Sequence, residues 1–370
     1  MIIFTSICAN YGHKARVLAC SVKEHIPEAK FFLCLTEREV PEALKADECF
    51  DRIVLSREIW GGNFDRFIFK HEIVEASTAV KGAFFQWLQC SFPEETMYIY
   101  LDPDCYVYDD FPELKEILSQ RAAVLCPHLL HPGNVKMELS STAHGVYNLG
   151  FLAVNRSEEA RRMVNWWAER LSLYCYEDIG RGIFTDQKWM DLAPCFFDVK
   201  ILHHYGYDLA PWGLEGIKIE KIGGKWFVQG KPLRFVHYSG FGKVAEQCMD
   251  QWLGQEGKLF RELYREYEQK HMAADNDQVS STPWSYAFYH SGEKIDSRIR
   301  HCYRENSELM DSEEDPFSRS NAYFEEVCGL TLKGRTKRIL RRSREVYCEQ
   351  GIREMCRKVA RKIRRKKDEG

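Results

Sequence analysis

Short apolar runs alternate with longer amphipathic stretches over roughly the first 245 residues. The apolar runs predict β-strands at about 2–8, 31–35, 52–55, 97–101, 122–126, 149–154 and 233–237. The stretches between them predict helices at 12–25, 66–90, 157–174 and 185–192. Strands that alternate with helices are typical of an α/β layered domain with a largely parallel sheet.

The pattern changes after about residue 245. Residues 248–270 predict a further helix, whereas 271–325 are polar and irregular and predict surface loops. From residue 332 onward the sequence predicts one or two basic helices. We therefore predict three parts, namely a main domain at 1–247, a helical and irregular extension at 248–330 and a basic amphipathic tail at 331–370.

Charge separates the tail from the body. Residues 331–370 contain 16 Lys or Arg and 5 Asp or Glu, whereas the remaining residues contain 36 basic and 50 acidic side chains. Four apolar residues stand at near-helical spacing among these cations: Ile352, Met355, Val359 and Ile363. Such a helix can lie on an anionic membrane surface. A solvated tail, or docking on the acidic body or a partner, stays an alternative.

Cysteine usage indicates the compartment. The 14 cysteines include no Cys-x-x-Cys spacing, and several stand in apolar strand-like runs where they act as small hydrophobic residues. This usage is typical of a reducing cytoplasm. The start of the chain lacks the basic leader of a signal peptide, and no run reaches the roughly 18 apolar residues of a membrane span. We expect a cytoplasmic protein that can contact the inner face of the membrane peripherally.

Two carboxylates directly follow one of the predicted strands. Asp102 and Asp104 come after the apolar run 97–101, at a strand end where open α/β sheets place their ligands. Residues i and i+2 of an extended segment point the same way, so both carboxylates can converge on one divalent cation. A second Asp-x-Asp, at Asp275 and Asp277, lies in a polar stretch and is expected to be solvated.

A third candidate ligand stands far downstream. His237 ends the apolar run at 233–237 and is followed by Gly240 and Lys243. A glycine lets the backbone approach a phosphate closely, and a lysine supplies a point positive charge. Imidazole is an acceptable ligand for transition metals. A core or surface histidine is the alternative if His237 is considered alone.

Together these motifs resemble the glycogenin and lipopolysaccharide galactosyltransferase group, glycosyltransferase family eight, and related bacterial surface-polysaccharide transferases. The resemblance covers roughly residues 1–245 and includes three further segments in the same order. These segments are CANYGHKARVLACSV near the start, YNLGFLAVN at 147–155 and TDQKWMDL at 185–192. The LDPD motif at 101–104 is similar to that of the surface-polysaccharide transferases. The resemblance implies a GT-A fold, which is a Rossmann-like mixed sheet flanked by helices, here with a C-terminal helical extension.

The resemblance also implies roles for single residues. The ligands of Mn²⁺ or Mg²⁺ would be Asp102, Asp104 and His237. The nucleotide-sugar donor would be bound by Asn10, Tyr11, Lys81, Asp102, Gly240 and Lys243. Of these, Tyr11 would stack on the base and Lys243 would contact the diphosphate. The donor sugar and its anomeric carbon would be surrounded by Asn148, Asp186 and Gln187. Ordinary alternatives stay open, such as a helix-face lysine at Lys81 or a helix cap at Asp186.

We therefore expect a metal-dependent glycosyltransferase that moves a sugar, most readily from a UDP-sugar, to a saccharide or lipid-linked acceptor with retention of configuration in surface-polysaccharide synthesis. One alternative is a haloacid-dehalogenase-type phosphatase that uses the same Asp-x-Asp, although Tyr106 stands where that class has Thr or Val. Another is an adaptor that binds a membrane or nucleic acid through the tail. We expect no nucleic-acid partner for the transferase.

Overall fold

The computed structural model describes residues 1–240, 242–252 and 257–330. The chain forms two compact units, of which the first spans Met1–Tyr286 and the second begins at Ala287. The predicted boundaries after residues 247 and 330 stay predictions. The predicted basic tail at 331–370 lies outside the described residues.

Strands and helices alternate through the first unit. Its strands are β1 (Ile2–Ile7), β2 (Lys30–Leu35), β3 (Arg52–Leu55), β4 (Met97–Leu101), β5 (Cys105–Val107), β6 (Ala123–Leu125), β7 (Phe151–Asn155), β8 (Glu177–Asp178), β9 (Ile183–Phe184), β10 (Val199–Ile201), β11 (Ile219–Ile222), β12 (Lys225–Val228), β13 (Lys231–Pro232) and β14 (Phe235–His237). Its α-helices are α1 (Gly12–His25), α2 (Glu42–Lys45), α3 (Phe64–Phe69), α4 (Ile73–Ala79), α5 (Lys81–Ser91), α6 (Pro112–Leu118), α7 (Val135–His144), α8 (Glu158–Leu173), α9 (Ala193–Phe196), α10 (Lys243–Trp252) and α11 (Lys258–Ala274).

Seven of these strands form a mixed sheet in the order β10-β6-β7-β4-β1-β2-β3. Strand β1 pairs in parallel with β4 on one side and β2 on the other, and β2 pairs in parallel with β3. Strand β7 runs antiparallel to both of its neighbours, β4 and β6. All residues of β1 and β4 are buried, as expected for central strands that are covered by helices on both faces. The predicted α/β class with a mixed, helix-flanked sheet is therefore confirmed.

Two helix predictions need correction. The stretch predicted as one helix at 66–90 forms three helices, α3 to α5. The backbone N–H of Glu72 donates to the Glu75 carboxylate at 2.8 Å, which starts a new helix there. The helix predicted at 185–192 is a short 3₁₀ helix over Lys188–Leu192, preceded by Thr185 with φ of 44°. A left-handed β-branched residue cannot lie inside an α-helix.

The main sheet is extended by a smaller pair, in which β14 runs antiparallel to β5. Helix α11 packs over the chain that leaves β14, because the Tyr238 and Tyr267 rings stack with centroids 4.0 Å apart. A hairpin forms between β11 and β12, with Gly223 and Gly224 at φ of 58° and 81° in its two-residue turn. The stacking of Tyr238 on Tyr267 lies within the first unit.

The second unit is described from Ala287 to Leu330. It contains α12 (Ser297–Arg304), α13 (Ser307–Ser312) and α14 (Asn321–Val327), in a region that the sequence predicted to be irregular. Each helix begins at a side chain that accepts a backbone N–H, namely Asp296, Asn306 and Ser320. In neither unit does any described helix have the length and apolar composition needed to cross a membrane.

Candidate functional site

Backbone pairing brings the distant candidate ligands together. Asp102 and Asp104 occupy the short connection between β4 and β5, and the antiparallel register of β5 with β14 places His237 opposite Cys105. The backbone N–H of Tyr238 donates to the Asp104 carbonyl at 2.8 Å, and the N–H of Asp102 donates to the Gly150 carbonyl at 2.8 Å. Backbone hydrogen bonds therefore tie the β4–β5 connection to the chain that leaves β14 and to Gly150, which directly precedes β7.

The side chains of these residues converge. The Nε2 atom of His237 lies 3.2 Å from Oδ1 of Asp104 and 3.6 Å from Oδ2 of Asp102. One ligand atom from each of the three residues falls within 4.8 Å of the others. The structure thus brings together the three residues that were predicted to converge, Asp102, Asp104 and His237. Their role as metal ligands stays a prediction.

The positive charge that compensates this strand end comes from Lys81. Its ammonium lies 3.2 Å from Oδ1 of Asp102 and 2.9 Å from Oδ2 of Asp186, and it also donates to the Leu149 carbonyl at 3.3 Å. Only 2% of the Lys81 side chain is exposed. An ordinary helix-face lysine would be solvated, so Lys81 is instead part of the buried charge network at the start of α5.

Burial and neighbouring charged side chains shift the pKa values of the cluster in opposite directions. Burial disfavours the charged form of Asp104, but the neighbouring His237 outweighs burial and lowers the pKa of this carboxyl to about 2. Burial likewise opposes the charged form of His237, yet Asp104 and Asp208 raise its pKa well above the ordinary value. Burial raises the pKa of Asp186 despite the partly compensating Lys81. These pKa shifts favour an ionised Asp104 beside a protonated His237 imidazole.

The donor set suits a hard or borderline divalent cation. Carboxylate oxygens are the ligands of Mg²⁺, and Mn²⁺ and other transition metals also accept imidazole nitrogen. The carboxylates of Asp102 and Asp104 keep 26% and 14% of their surface exposed, so phosphate oxygens can complete a coordination shell from the open side. The residues present fit the predicted Mn²⁺ or Mg²⁺.

A cavity of about 500 Å³ opens beside the cluster. It contains all of the residues predicted around the donor sugar, which are Asn148, Asp186 and Gln187. Gln187 accepts from the Leu149 N–H at 3.0 Å and donates to the His144 carbonyl at 3.1 Å. These bonds fix its amide at the cavity wall, where helix α7 contributes Met137, Ser140 and Ser141. The volume suits a monosaccharide with part of a second substrate.

A second cavity of about 160 Å³ adjoins the other side of the carboxylate pair. Asn10 and Tyr11 line it together with Cys8, Asp102 and Asp104. The Tyr11 ring is 39% exposed and lies 4.3 Å from the Lys14 ammonium, so one face of an aromatic base could stack there. The structure thus brings the two predicted nucleotide-contacting residues next to the Asp102 and Asp104 carboxylates.

The predicted phosphate-binding segment is described in part. Gly240 has φ of 67°, a left-handed conformation that favours glycine, and its carbonyl accepts from the Ala245 N–H at 3.0 Å. Helix α10 begins at Lys243, but the side chain of Lys243 lies outside the described residues. The diphosphate-binding roles of Gly240 and Lys243 stay predictions.

Three residues of the site were not identified from the sequence. The Tyr100 hydroxyl donates to Asp102 at 2.5 Å, and the Lys14 ammonium lies 3.9 Å from Asp104. Tyr100 could have been found, because it stands two residues before Asp102 on the same strand face. Asp208, which lies 3.4 Å from Nδ1 of His237, is the third. Its proximity to His237 depends on tertiary packing and has no local signal.

No family model matches this sequence. The chain is 23% identical to "uncharacterized protein YfnD" of Bacillus subtilis (strain 168) over 62% of this chain and 67% of that protein. It is 25% identical to "uncharacterized protein YfnF" of the same organism over 45% of this chain and 56% of that protein. The chain therefore spans little more than half of YfnF.

Among solved structures, the chain is similar to galactosyltransferase LgtC in complex with donor and acceptor sugar analogs. The TM-score is 0.43 at 15% identity, over 74% of this chain and 96% of that one.

Proposed function

We propose that this protein is a metal-dependent glycosyltransferase that takes a sugar from a nucleoside diphosphate donor, most readily a UDP-sugar. The observation that supports this most strongly is the convergence of Asp102, Asp104 and His237 between two adjoining cavities. One cavity offers an aromatic and an amide for a base, and the other offers hydrogen-bonding groups for a sugar. A diphosphate that joined the two occupants would cross the carboxylate cluster.

Asp102, Asp104 and His237 would hold Mn²⁺ or Mg²⁺, which when bound supplies Lewis-acid stabilisation of the departing diphosphate. The protein's own cations support the same charge change. The Lys14 ammonium lies 3.9 Å from Asp104 and 4.3 Å from the Tyr11 ring. We assign Lys243 and the Gly240 backbone to the diphosphate. Each positive group would stabilise the negative charge that develops on the departing nucleoside diphosphate.

The sugar side of the site would be organised by Lys81 and its partners. The pairing of Lys81 with Asp186 holds that carboxylate at the cavity wall, where it can accept a sugar hydroxyl. Asn148 and Gln187 would present further hydrogen-bonding groups, with Gln187 near the anomeric carbon. We infer retention of anomeric configuration, and an NMR spectrum of the first product that shows the inverted anomer would overturn this part.

We also propose a saccharide or lipid-linked acceptor in surface-polysaccharide synthesis and a cytoplasmic location. The charge pattern of 331–370 supports docking on an anionic membrane. Sedimentation with anionic liposomes tests this, with the full chain compared with a chain that ends at residue 330. We expect the truncated chain to stay in the supernatant, whereas equal sedimentation of both chains would remove the tail from the proposal.

Hydrolysis of a panel of UDP-sugars without acceptor tests the main proposal. The purified full chain should release UDP slowly from at least one donor, only with Mn²⁺ or Mg²⁺ present, and a chelator should abolish the release. An aryl phosphate ester serves as the matched substrate for the phosphatase alternative. Metal-dependent turnover of that ester with none on any nucleotide sugar would contradict the proposal.

A further inference from the structure

Two cysteines outside the candidate site lie on helix α1 and on the chain that leads into β3. We propose that Cys20 and Cys49 form a reactive dithiol, which closes to a disulfide on reaction with a small-molecule disulfide. This inference does not depend on the proposed transferase function. In a reducing compartment the dithiol is the resting form, and the protein disulfide forms when the share of small-molecule disulfide rises.

Two ion pairs hold the chain before β3 against helix α1. The Nε atom of Arg16 lies 2.8 Å from Oδ2 of Asp47, and Lys23 pairs with Asp51. The two cations lie on one face of the helix, because their spacing is close to two helical turns. Cys20 stands between them on the same face, one turn after Arg16. The helix therefore presents a thiol midway between its two ion pairs.

Cys49 is the matching residue on the other side of this contact. It stands midway between the two aspartates that pair with α1, and the next residue, Phe50, packs in the hydrophobic core. The Cys49 thiol donates a hydrogen bond to the Cys20 sulfur, so the two thiols are already in contact. Cys49 belongs to no helix or strand, so an S–S bond of about 2.05 Å can form without breaking a backbone ladder.

The contact also decides which thiol reacts first. The hydrogen bond from Cys49 lowers the pKa of the Cys20 thiol to about 7, and the Lys270 ammonium acts in the same direction. Burial and the carboxylates of Asp47 and Glu24 oppose this shift. Thiolates are the attacking species, and a thiol whose pKa lies near the ambient pH attacks disulfides best. Cys20 is exposed and Cys49 is half-buried, so Cys20 is the thiol that an incoming disulfide meets.

Closure takes two exchange steps. The Cys20 thiolate attacks one sulfur of the small disulfide, which forms a mixed disulfide and releases one thiolate. Cys49 gives its proton to that thiolate and attacks the Cys20 sulfur, which forms the protein disulfide and releases the second thiolate. Two protein thiols are thereby oxidised, and one small disulfide is reduced to two thiols.

Glutathione buffers with stepped ratios of oxidised to reduced glutathione test the proposal on the full chain at pH 7. Free thiols are then blocked with N-ethylmaleimide, and the digested chain is analysed by mass spectrometry. We expect a cross-linked peptide that contains Cys20 and Cys49, with loss of both free thiols. In denaturing urea the same treatment should give mixed products, because the two ion pairs no longer hold the thiols together.

Serine variants separate the two steps. Cys49→Ser should stop at a glutathione adduct on Cys20, whereas Cys20→Ser should leave Cys49 largely unmodified. Cys90→Ser removes an exposed cysteine of α5 and is the matched control, which should form the cross-link as the parent does. Urea unfolding checks that each variant is folded.

Three results would overturn the inference. One is a parent chain that keeps both thiols free at the highest share of oxidised glutathione. Another is a parent chain that carries glutathione on Cys20 without a cross-link to Cys49. The third is an equal yield of the cross-link in the folded and the urea-denatured chain, since the folded contact would then have no part in it.

Discussion

Asp102 and Asp104 face a shared imidazole, whereas Asp275 and Asp277, which have the same Asp-x-Asp spacing, turn to separate partners. Asp277 lies against the guanidinium of Arg16 with two contacts of 2.9 and 2.7 Å. Asp275 accepts from the backbone N–H of Ser280 at 3.0 Å. The second pair ties the end of α11 to helix α1, so it has a structural role and is not simply solvated as the sequence predicted.

The difference lies in what surrounds each pair. The first pair follows a fully buried central strand, and the pairing of β5 with β14 directs His237 at it. The second pair follows the exposed end of a helix, and each carboxylate finds a partner within its own turn or on α1. A metal site therefore requires two carboxylates whose lone pairs can reach the same ion. The Asp-x-Asp spacing alone does not ensure this.

Removing a carboxylate from each pair should separate the two roles most strongly. Asp104→Asn should lower metal-dependent UDP-sugar hydrolysis roughly 1,000-fold and abolish Mn²⁺ binding, because a metal–diphosphate contact contributes several kcal/mol. Asp275→Asn is the matched control and should retain parental turnover. Steady-state kinetics and calorimetry measure both. Equal losses in the two variants would show that the pairs do not differ as described.

The next largest effect is expected at Lys81, the buried cation beside the first pair. Lys81→Met leaves the carboxylates of Asp102 and Asp186 without their shared ammonium, and we expect unfolding free energy to fall by about 3–5 kcal/mol. Urea unfolding monitored by tryptophan fluorescence measures this. A Lys81→Met, Asp186→Asn double variant should recover part of the loss. No recovery would mean that Lys81 and Asp186 are not coupled.

Crowding at the first pair can be tested without changing any charge. A Cβ on Gly150 would lie 2.3 Å from Cε1 and 2.4 Å from Nδ1 of His237, so Gly150→Ala must displace the imidazole. We expect turnover to fall roughly 100-fold with weaker Mn²⁺ binding. Gly61→Ala meets no atom within 4 Å and is the control. Parental metal affinity in Gly150→Ala would contradict the placement of His237.

The smallest effect is expected at the second pair. Asp277→Asn removes the charge that Arg16 contacts, at a partly exposed position, and should cost about 1–2 kcal/mol of unfolding free energy with little change in turnover. Urea unfolding and hydrolysis of the UDP-sugar measure the two quantities. A large loss of turnover without a loss of stability would assign Asp277 a functional role that its contacts do not indicate.

Much of the fold follows from local pattern. The apolar runs at 97–101 and 233–237 predicted strands, and the carboxylates and imidazole that terminate them were predicted ligands for that reason. The amphipathic stretch at 157–174 predicted helix α8, and the Ala160 N–H of this helix donates to the Ser157 hydroxyl at 3.2 Å. These features depend on residues that are close in sequence, so periodicity and capping rules identify them.

The remaining features depend on contacts between distant segments. The predicted single helix at 66–90 missed the breaks around Glu72 and Val80, because polar and apolar spacing continues through them. The pairing of Lys81 with Asp186, across 105 positions, and the approach of Asp208 to His237 arise only when the sheet has assembled. The resemblance to known transferases supplied candidate roles for such residues, but not their mutual geometry.

Anomalous diffraction at the manganese edge, from crystals soaked with Mn²⁺ and UDP, shows directly whether this cluster binds a metal ion. We expect a single strong anomalous peak within coordination distance of Asp102, Asp104 and Nε2 of His237, with diphosphate oxygens as further ligands. A peak absent from this cluster at saturating Mn²⁺, or a peak at Asp275 and Asp277 instead, would contradict it.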